Sequence, residues 1–157
     1  MNKKNQSIHE LFKKVQSGVI HIEYSDKDKV VASGSAFIAN GYLITNNHVL
    51  EGPTESTVKL SWQPKYKNKD LIEVEYPFSK FSDALKAGSD ENNYDYAILD
   101  IPELRQSALF NFSIKSSKDT HIGDDALILG FPLEHKNLVC HKGIVSSIYN
   151  NSITDII

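Results

Sequence analysis

Two side chains in this sequence have the types that proton transfer needs. The run Gly41-Tyr-Leu-Ile-Thr-Asn-Asn-His-Val-Leu50 is apolar and strand-like up to Thr45, then passes through two asparagines to an imidazole, His48. The run Tyr94-Asp-Tyr-Ala-Ile-Leu99 carries a carboxylate, Asp95. On a strand Asp95 shares a face with Ala97 and Leu99 while Tyr94, Tyr96 and Ile98 take the other, so its carboxylate enters beside apolar neighbours. A buried carboxylate needs a partner, because leaving one unpaired costs several kcal/mol. Taken alone, His48 reads as a satisfied histidine at a strand end, and Asp95 as an aspartate held by backbone N–H groups or a lysine. Taken together they offer something more: an aspartate that accepts from one imidazole nitrogen fixes the tautomer and leaves the second nitrogen free to act as a base.

Other reactive side chains carry less. Cys140, between Val139 and His141, reads as a half-buried structural cysteine. His135, Cys140 and His141 match no zinc spacing, and neighbours on a strand point to opposite faces, so no metal is expected. Lys65 to Lys69 reads as a solvated hairpin tip, Asp90-Glu91 as a loop, and Asp124-Asp125 as a turn.

The elements that must position His48 and Asp95 are mostly short strands. Ser7-Ile-His-Glu10 has capping-box spacing, and Ile8, Leu11, Phe12 and Val15 follow at helical spacing, which predicts a helix over about 8–16, ended by Gly18. Val19 to Tyr24 and Val30 to Ala39 form a hairpin across the polar turn 25–29. Asn40-Gly41 is a type I′ turn signal that folds the next strand, from Tyr42, back on the second. Thr57 to Trp62 and Leu71 to Tyr76 make another pair, Pro77 to Asn93 a long polar connection, and Tyr94 to Ile101 a later strand. Pro102 to Phe112 reads as a partly helical crossover and Ser113 to Thr120 as a linker. Asp125 to Phe131 and Leu138 to Tyr149 are the last strands. Short strands at close spacing specify an all-β barrel or sandwich. The expected division is an N-terminal helix over 1–17, a first barrel over 18–112 carrying His48 and Asp95, and a linker with the first strands of a second barrel over 113–157.

Composition narrows the function classes. At 157 residues, 40% hydrophobic and 24% charged, the chain fits one globular domain or two small halves sharing an interface. A net charge of −3 provides no basic field for a polyanion, so nucleic acid is not an expected partner. The start Met1-Asn-Lys-Lys is followed by polar residues where a signal peptide needs an apolar segment, and no run approaches the roughly eighteen apolar residues that span a bilayer. No membrane partner is expected. A single cysteine cannot form an intrachain disulfide, and the chain reads as cytoplasmic.

Four stretches in order, Gly34-Ser-Ala-Phe-Ile38, Leu43-Ile-Thr-Asn-Asn-His-Val49, Asp95-Tyr-Ala-Ile-Leu99, and Gly123-Asp-Asp-Ala-Leu-Ile-Leu-Gly-Phe-Pro132 with Gly143-Ile-Val-Ser146, resemble the trypsin-like (chymotrypsin-fold) serine proteases, closest to their HtrA-type and related bacterial branches. The resemblance runs from about Val19 to Ile148. It implies two six-stranded antiparallel barrels with the catalytic cleft between them, His48 as general base, Asp95 as its orienting acid, a polypeptide substrate and no cofactor. The family's Gly-x-Ser-Gly-Gly segment, which carries the nucleophile and the oxyanion hole, has no counterpart among Ser33, Ser35, Ser146, Ser147 or Ser152. The expectation is therefore a fragment of a serine endopeptidase whose serine lies past Ile157 and which is inactive alone. The alternative is a non-catalytic homologue that binds a protein partner through its barrel surface.

Overall fold

The computed structural model describes residues 7–64, 70–132 and 136–148, so the hairpin tip at 65–69, His135 and Ser152 lie outside the described residues. Helix α1 spans Ile8–Val15, and both halves of its capping box form: Ser7 Oγ accepts from Glu10 N–H and Glu10 Oε2 accepts from Ser7 N–H, each at 3.2 Å. After a 3₁₀ turn the chain enters β1, Val19–Asp26, then β2, Lys29–Ala39, and β3, Tyr42–Thr45. Asn40 and Gly41 sit at φ 51° and 81°, the type I′ conformation their sequence predicts. Strands β4, Thr57–Trp62, and β5, Ile72–Pro77, follow.

Between residues 77 and 93 the structure departs from the expected polar connection. Helix α2, Phe78–Asp83, and strand β6, Leu85–Ser89, occupy this stretch. Phe81 is buried, and Tyr24 packs against both Phe78 and Phe81, so the helical spacing of the two phenylalanines serves the core. Strand β6 has weak β-forming residues and an exposed surface; its pairing with β7, Tyr96–Leu99, makes it a strand. The antiparallel sheet therefore has seven strands, in the order β5-β4-β1-β2-β3-β7-β6, where six were expected. Its hydrogen-bonded ladder is not closed among the described residues, and α2 connects the two end strands. Residues from both ends, among them Tyr76, Phe81 and Leu99, belong to one core cluster with Ile20, Ile22 and Leu60. The sheet thus curls around a single interior.

Helix α3, Pro102–Arg105, buries Leu104, and the crossover that follows is anchored where Phe112 N–H donates to Ile38 O at 2.7 Å. Strands β8, Asp125–Gly130, and β9, Val139–Ile144, form a separate two-stranded antiparallel sheet. It meets the first at β1. Phe131 stacks on the His21 ring with centroids 4.7 Å apart, and Phe131 N–H donates to Ser35 Oγ at 2.8 Å. Strand β1 is consequently buried on both faces: Ile20, Ile22 and Tyr24 enter the core, while His21 and Glu23 on the other face are also covered. Lys59, across the β1–β4 ladder, pairs with Glu23 at 3.4 Å.

Candidate active site

The site forms where two antiparallel neighbours end together. Strands β3 and β7 pair with Leu43 opposite Leu99, Ile44 opposite Ile98 and Thr45 opposite Ala97. The chain leaving β3 and the chain entering β7 therefore lie at the same end of the sheet. His48 comes three residues after Thr45, and Asp95 immediately precedes Tyr96. Thr45 Oγ1 donates to Ser35 O at 2.8 Å, which fixes the end of β3 against β2.

Past Thr45 the backbone turns into a short 3₁₀ helix, Asn47–Leu50, with Asn46 at its N-cap. This helix rests on β2 at Gly34, where a Cβ would lie 2.8 Å from both γ-carbons of Val49. Glycine in the Gly-Ser-Ala-Phe stretch is thus a close-approach requirement that lets the residue after His48 pack on the strand. On the other side, Asp90 organises the loop ahead of β7. Its carboxylate accepts from Asn92 N–H and Asn93 Nδ2, and its carbonyl accepts from the N–H groups of Asn93 and Asp95.

Asp95 does not sit on the strand as its sequence context suggested. The strand starts at Tyr96 and ends at Leu99, short of the expected Ile101, and Asp95 occupies the left-handed region at φ 46°. This backbone turn points its carboxylate at the β3 end instead of placing it beside Ala97 and Leu99, which are buried without it. Its side chain remains 24% exposed. Both oxygens are used: Oδ1 accepts from His48 N–H at 3.1 Å, and Oδ2 lies 2.7 Å from His48 Nδ1. Oδ2 also accepts from Asn46 Nδ2 at 3.1 Å, and the same amide donates to Asp95 O at 3.0 Å.

These contacts determine the electrostatics. The backbone N–H of His48 is the largest influence holding the Asp95 carboxyl below the usual aspartate range; partial desolvation opposes it, and the His48 ring and Asn46 amide add to the lowering. Asp95 is therefore an anion at neutral pH. An anionic acceptor at Nδ1 favours the imidazole tautomer with its proton there. Nε2 then carries the free lone pair, and it makes no hydrogen bond among the described residues, with the His48 side chain 52% exposed. The arrangement can accept a proton at Nε2 and stabilise the resulting imidazolium.

Beside this pair a groove of about 680 Å³ runs between the two sheets, bordered by Asn46, Asp95 and Tyr96 at the site and by Phe37, Phe112 and Leu129 further along. The other residues singled out by type are elsewhere. Ser35 Oγ is engaged by Phe131 N–H, Cys140 is half-buried opposite Leu129 on β9, and Asp124 accepts from His121 N–H at a turn. Among the described residues no cluster of three or more histidine, cysteine or acidic side chains is arranged to hold a metal ion. The residue missed in the sequence is Asn46. Its only signal was its type, since an asparagine ahead of a helical turn is ordinarily read as a cap.

Residues 32–156 match the family described as the trypsin-like peptidase domain. Among curated proteins, the serine endoprotease DegS of Haemophilus influenzae is 28% identical over 125 residues, covering 80% of this chain and 31% of DegS. Among solved structures, the serine endoprotease from Yersinia pestis is similar with a TM-score of 0.61 at 20% identity, over 92% of this chain and 46% of that one. The HtrA-type protease AlgW, solved with a tripeptide, has a TM-score of 0.63 at 22% identity, over 95% of this chain and 42% of that one. The chain spans about a third of the curated relative's length and less than half of each solved structure. The fold is the all-β, chymotrypsin-like one of these two solved structures, with a short N-terminal helix.

Proposed function

We propose, from the premise that the chain belongs to the trypsin-like peptidase domain family, that it supplies the base and orienting acid of a serine endopeptidase acting on polypeptides. The observation that carries this reading is the 2.7 Å contact between His48 Nδ1 and Asp95 Oδ2, made beside an inter-sheet groove with Nε2 left open. In the proposed reaction His48 Nε2 takes the proton of a serine hydroxyl as its oxygen attacks the peptide carbonyl. The imidazolium then gives that proton to the leaving amine, and a water activated by the same nitrogen hydrolyses the acyl-enzyme. Asp95 stays ionised throughout and holds the imidazole in register. The reaction also requires a serine nucleophile and oxyanion-hole donors, and residues 1–157 contain no Gly-x-Ser-Gly-Gly segment to supply them.

A fluorophosphonate probe tests the reading on the full gene product. One serine should be labelled, and labelling should vanish in His48→Ala. Labelling that persists in His48→Ala overturns the assignment of the base. A folded full product that takes no label favours the non-catalytic homologue, with the groove serving to bind a polypeptide without cleaving it.

A further inference from the structure

Asn46 is placed where its side chain has an obvious local task that it does not perform. At an N-cap, asparagine ordinarily accepts from the backbone N–H two or three residues on. Here Asn46 has the extended cap conformation, φ −76° and ψ 149°, yet its side chain makes no capping bond to the 3₁₀ helix it precedes. The amide is turned across to Asp95 and donates twice to that one residue, to its carbonyl at 3.0 Å and to Oδ2 at 3.1 Å.

The two bonds do different things. The bond to the carbonyl holds a non-glycine backbone at φ 46°, a conformation that needs surrounding contacts to persist. The bond to Oδ2 acts on the same oxygen that faces His48 Nδ1. One carboxamide therefore ties the main chain of Asp95 to its carboxylate and restrains rotation of the side chain. His48 N–H, on Oδ1, provides the remaining point of attachment. Asn46 and His48 both follow the end of β3, so the donors to Asp95 come from one short segment.

We propose that Asn46 is a positioning residue that fixes the Asp95 carboxylate against His48 Nδ1 and thereby selects the imidazole tautomer whose Nε2 is free. The proposal rests on the reading of His48 as a base for its functional meaning, although its structural content does not depend on a nucleophile.

The test is nuclear magnetic resonance on the chain itself with ¹⁵N-labelled histidine and ¹³C-labelled aspartate. Asn46→Ser keeps a residue favoured at an N-cap but is too short to reach Asp95, so the 3₁₀ helix is preserved while both bonds are lost. The ratio of Nδ1–H to Nε2–H tautomer at His48 should fall about tenfold, in keeping with the loss of a bond to a charged group. The Asp95 carboxyl should titrate at higher pH than in the parent. Asn46→Gly, also accepted at an N-cap, gives the same readout should the serine hydroxyl find another partner. Unchanged tautomer ratio and unchanged Asp95 titration in both variants overturn the proposal, whatever happens to the melting temperature. Absence of fluorophosphonate labelling in the full product would sink the catalytic reading and leave these two measurements standing.

Discussion

Asp95 shows how a single residue's backbone decides what its side chain can do. At φ 46° it faces the end of β3, and three donors from Asn46 and His48 converge on its carboxylate. Its lowered titration has a definite sign. A carboxyl whose folded-state pKa is depressed contributes stability above its unfolded value, about 3.9, and loses it as pH falls through the folded value. The His48–Asp95 contact should therefore survive mild acid and break only below the ordinary aspartate range, as a ¹³C titration of the Asp95 carboxyl will show. Asp95→Asn removes the anion while keeping the shape. In the full gene product it should reduce kcat by about 10⁴-fold, the size of effect known for losing the tautomer-fixing carboxylate of a serine protease triad. A kcat within a few fold of the parent would exclude Asp95 from the orienting role.

At the scale of elements, the site depends on the 3₁₀ helix being seated against β2. Gly34 makes this possible, since a methyl group there would approach both γ-carbons of Val49 at 2.8 Å. Gly34→Ala should cost about 1–3 kcal/mol in urea unfolding, as overpacking does, and should shift the His48 amide resonance as the turn is displaced. Val49→Ala in the same chain should recover part of that cost, giving a favourable coupling in a double-mutant cycle. Additive effects would show that Gly34 matters for some reason other than this contact. Element α2 and strand β6 mark where reading by element fell short. Phe78 and Phe81 had helical spacing, but Leu85-Lys-Ala-Gly-Ser89 has neither alternation nor β-branched residues, and only the β7 edge makes it a strand.

At the scale of the whole molecule, the two sheets are joined through an imidazole. His21 is buried under Phe131, and its Nε2 has no hydrogen-bond partner among the described residues. Burial holds the His21 pKa below its ordinary value; Glu23 opposes this, and Lys136 and Lys59 reinforce it. The unfolded chain therefore takes up this proton more readily than the folded one. The associated stability is complete above about pH 6.5 and declines as pH falls from there toward the folded pKa. Unfolding midpoints should drop between pH 7 and pH 5.5, and His21→Phe should flatten that dependence; an equally steep profile in the variant would assign the effect to other groups. Phe131→Ala, which removes the stacked ring from a site only 4% exposed, should cost about 3–5 kcal/mol, in line with buried phenylalanine truncations, measured by chemical denaturation.

Sequence by itself determined the features that depend on residues a few positions apart. The capping box at Ser7 and Glu10, the I′ turn at Asn40-Gly41 and the alternation along β4 arise from local hydrogen bonding, backbone preference or periodicity, which neighbouring residues encode directly, whereas His48 and Asp95 were paired only through the ordered motifs that resemble the trypsin-like proteases. Tertiary structure alone decided the rest. The β3–β7 register brought two strand ends together, with Asp95 turned out of the strand and Asn46 bonded across to it instead of capping its helix. Each of these bonds joins groups remote in the chain, so the energy that selects them exists only once the sheet has formed, and no short window of sequence contains it.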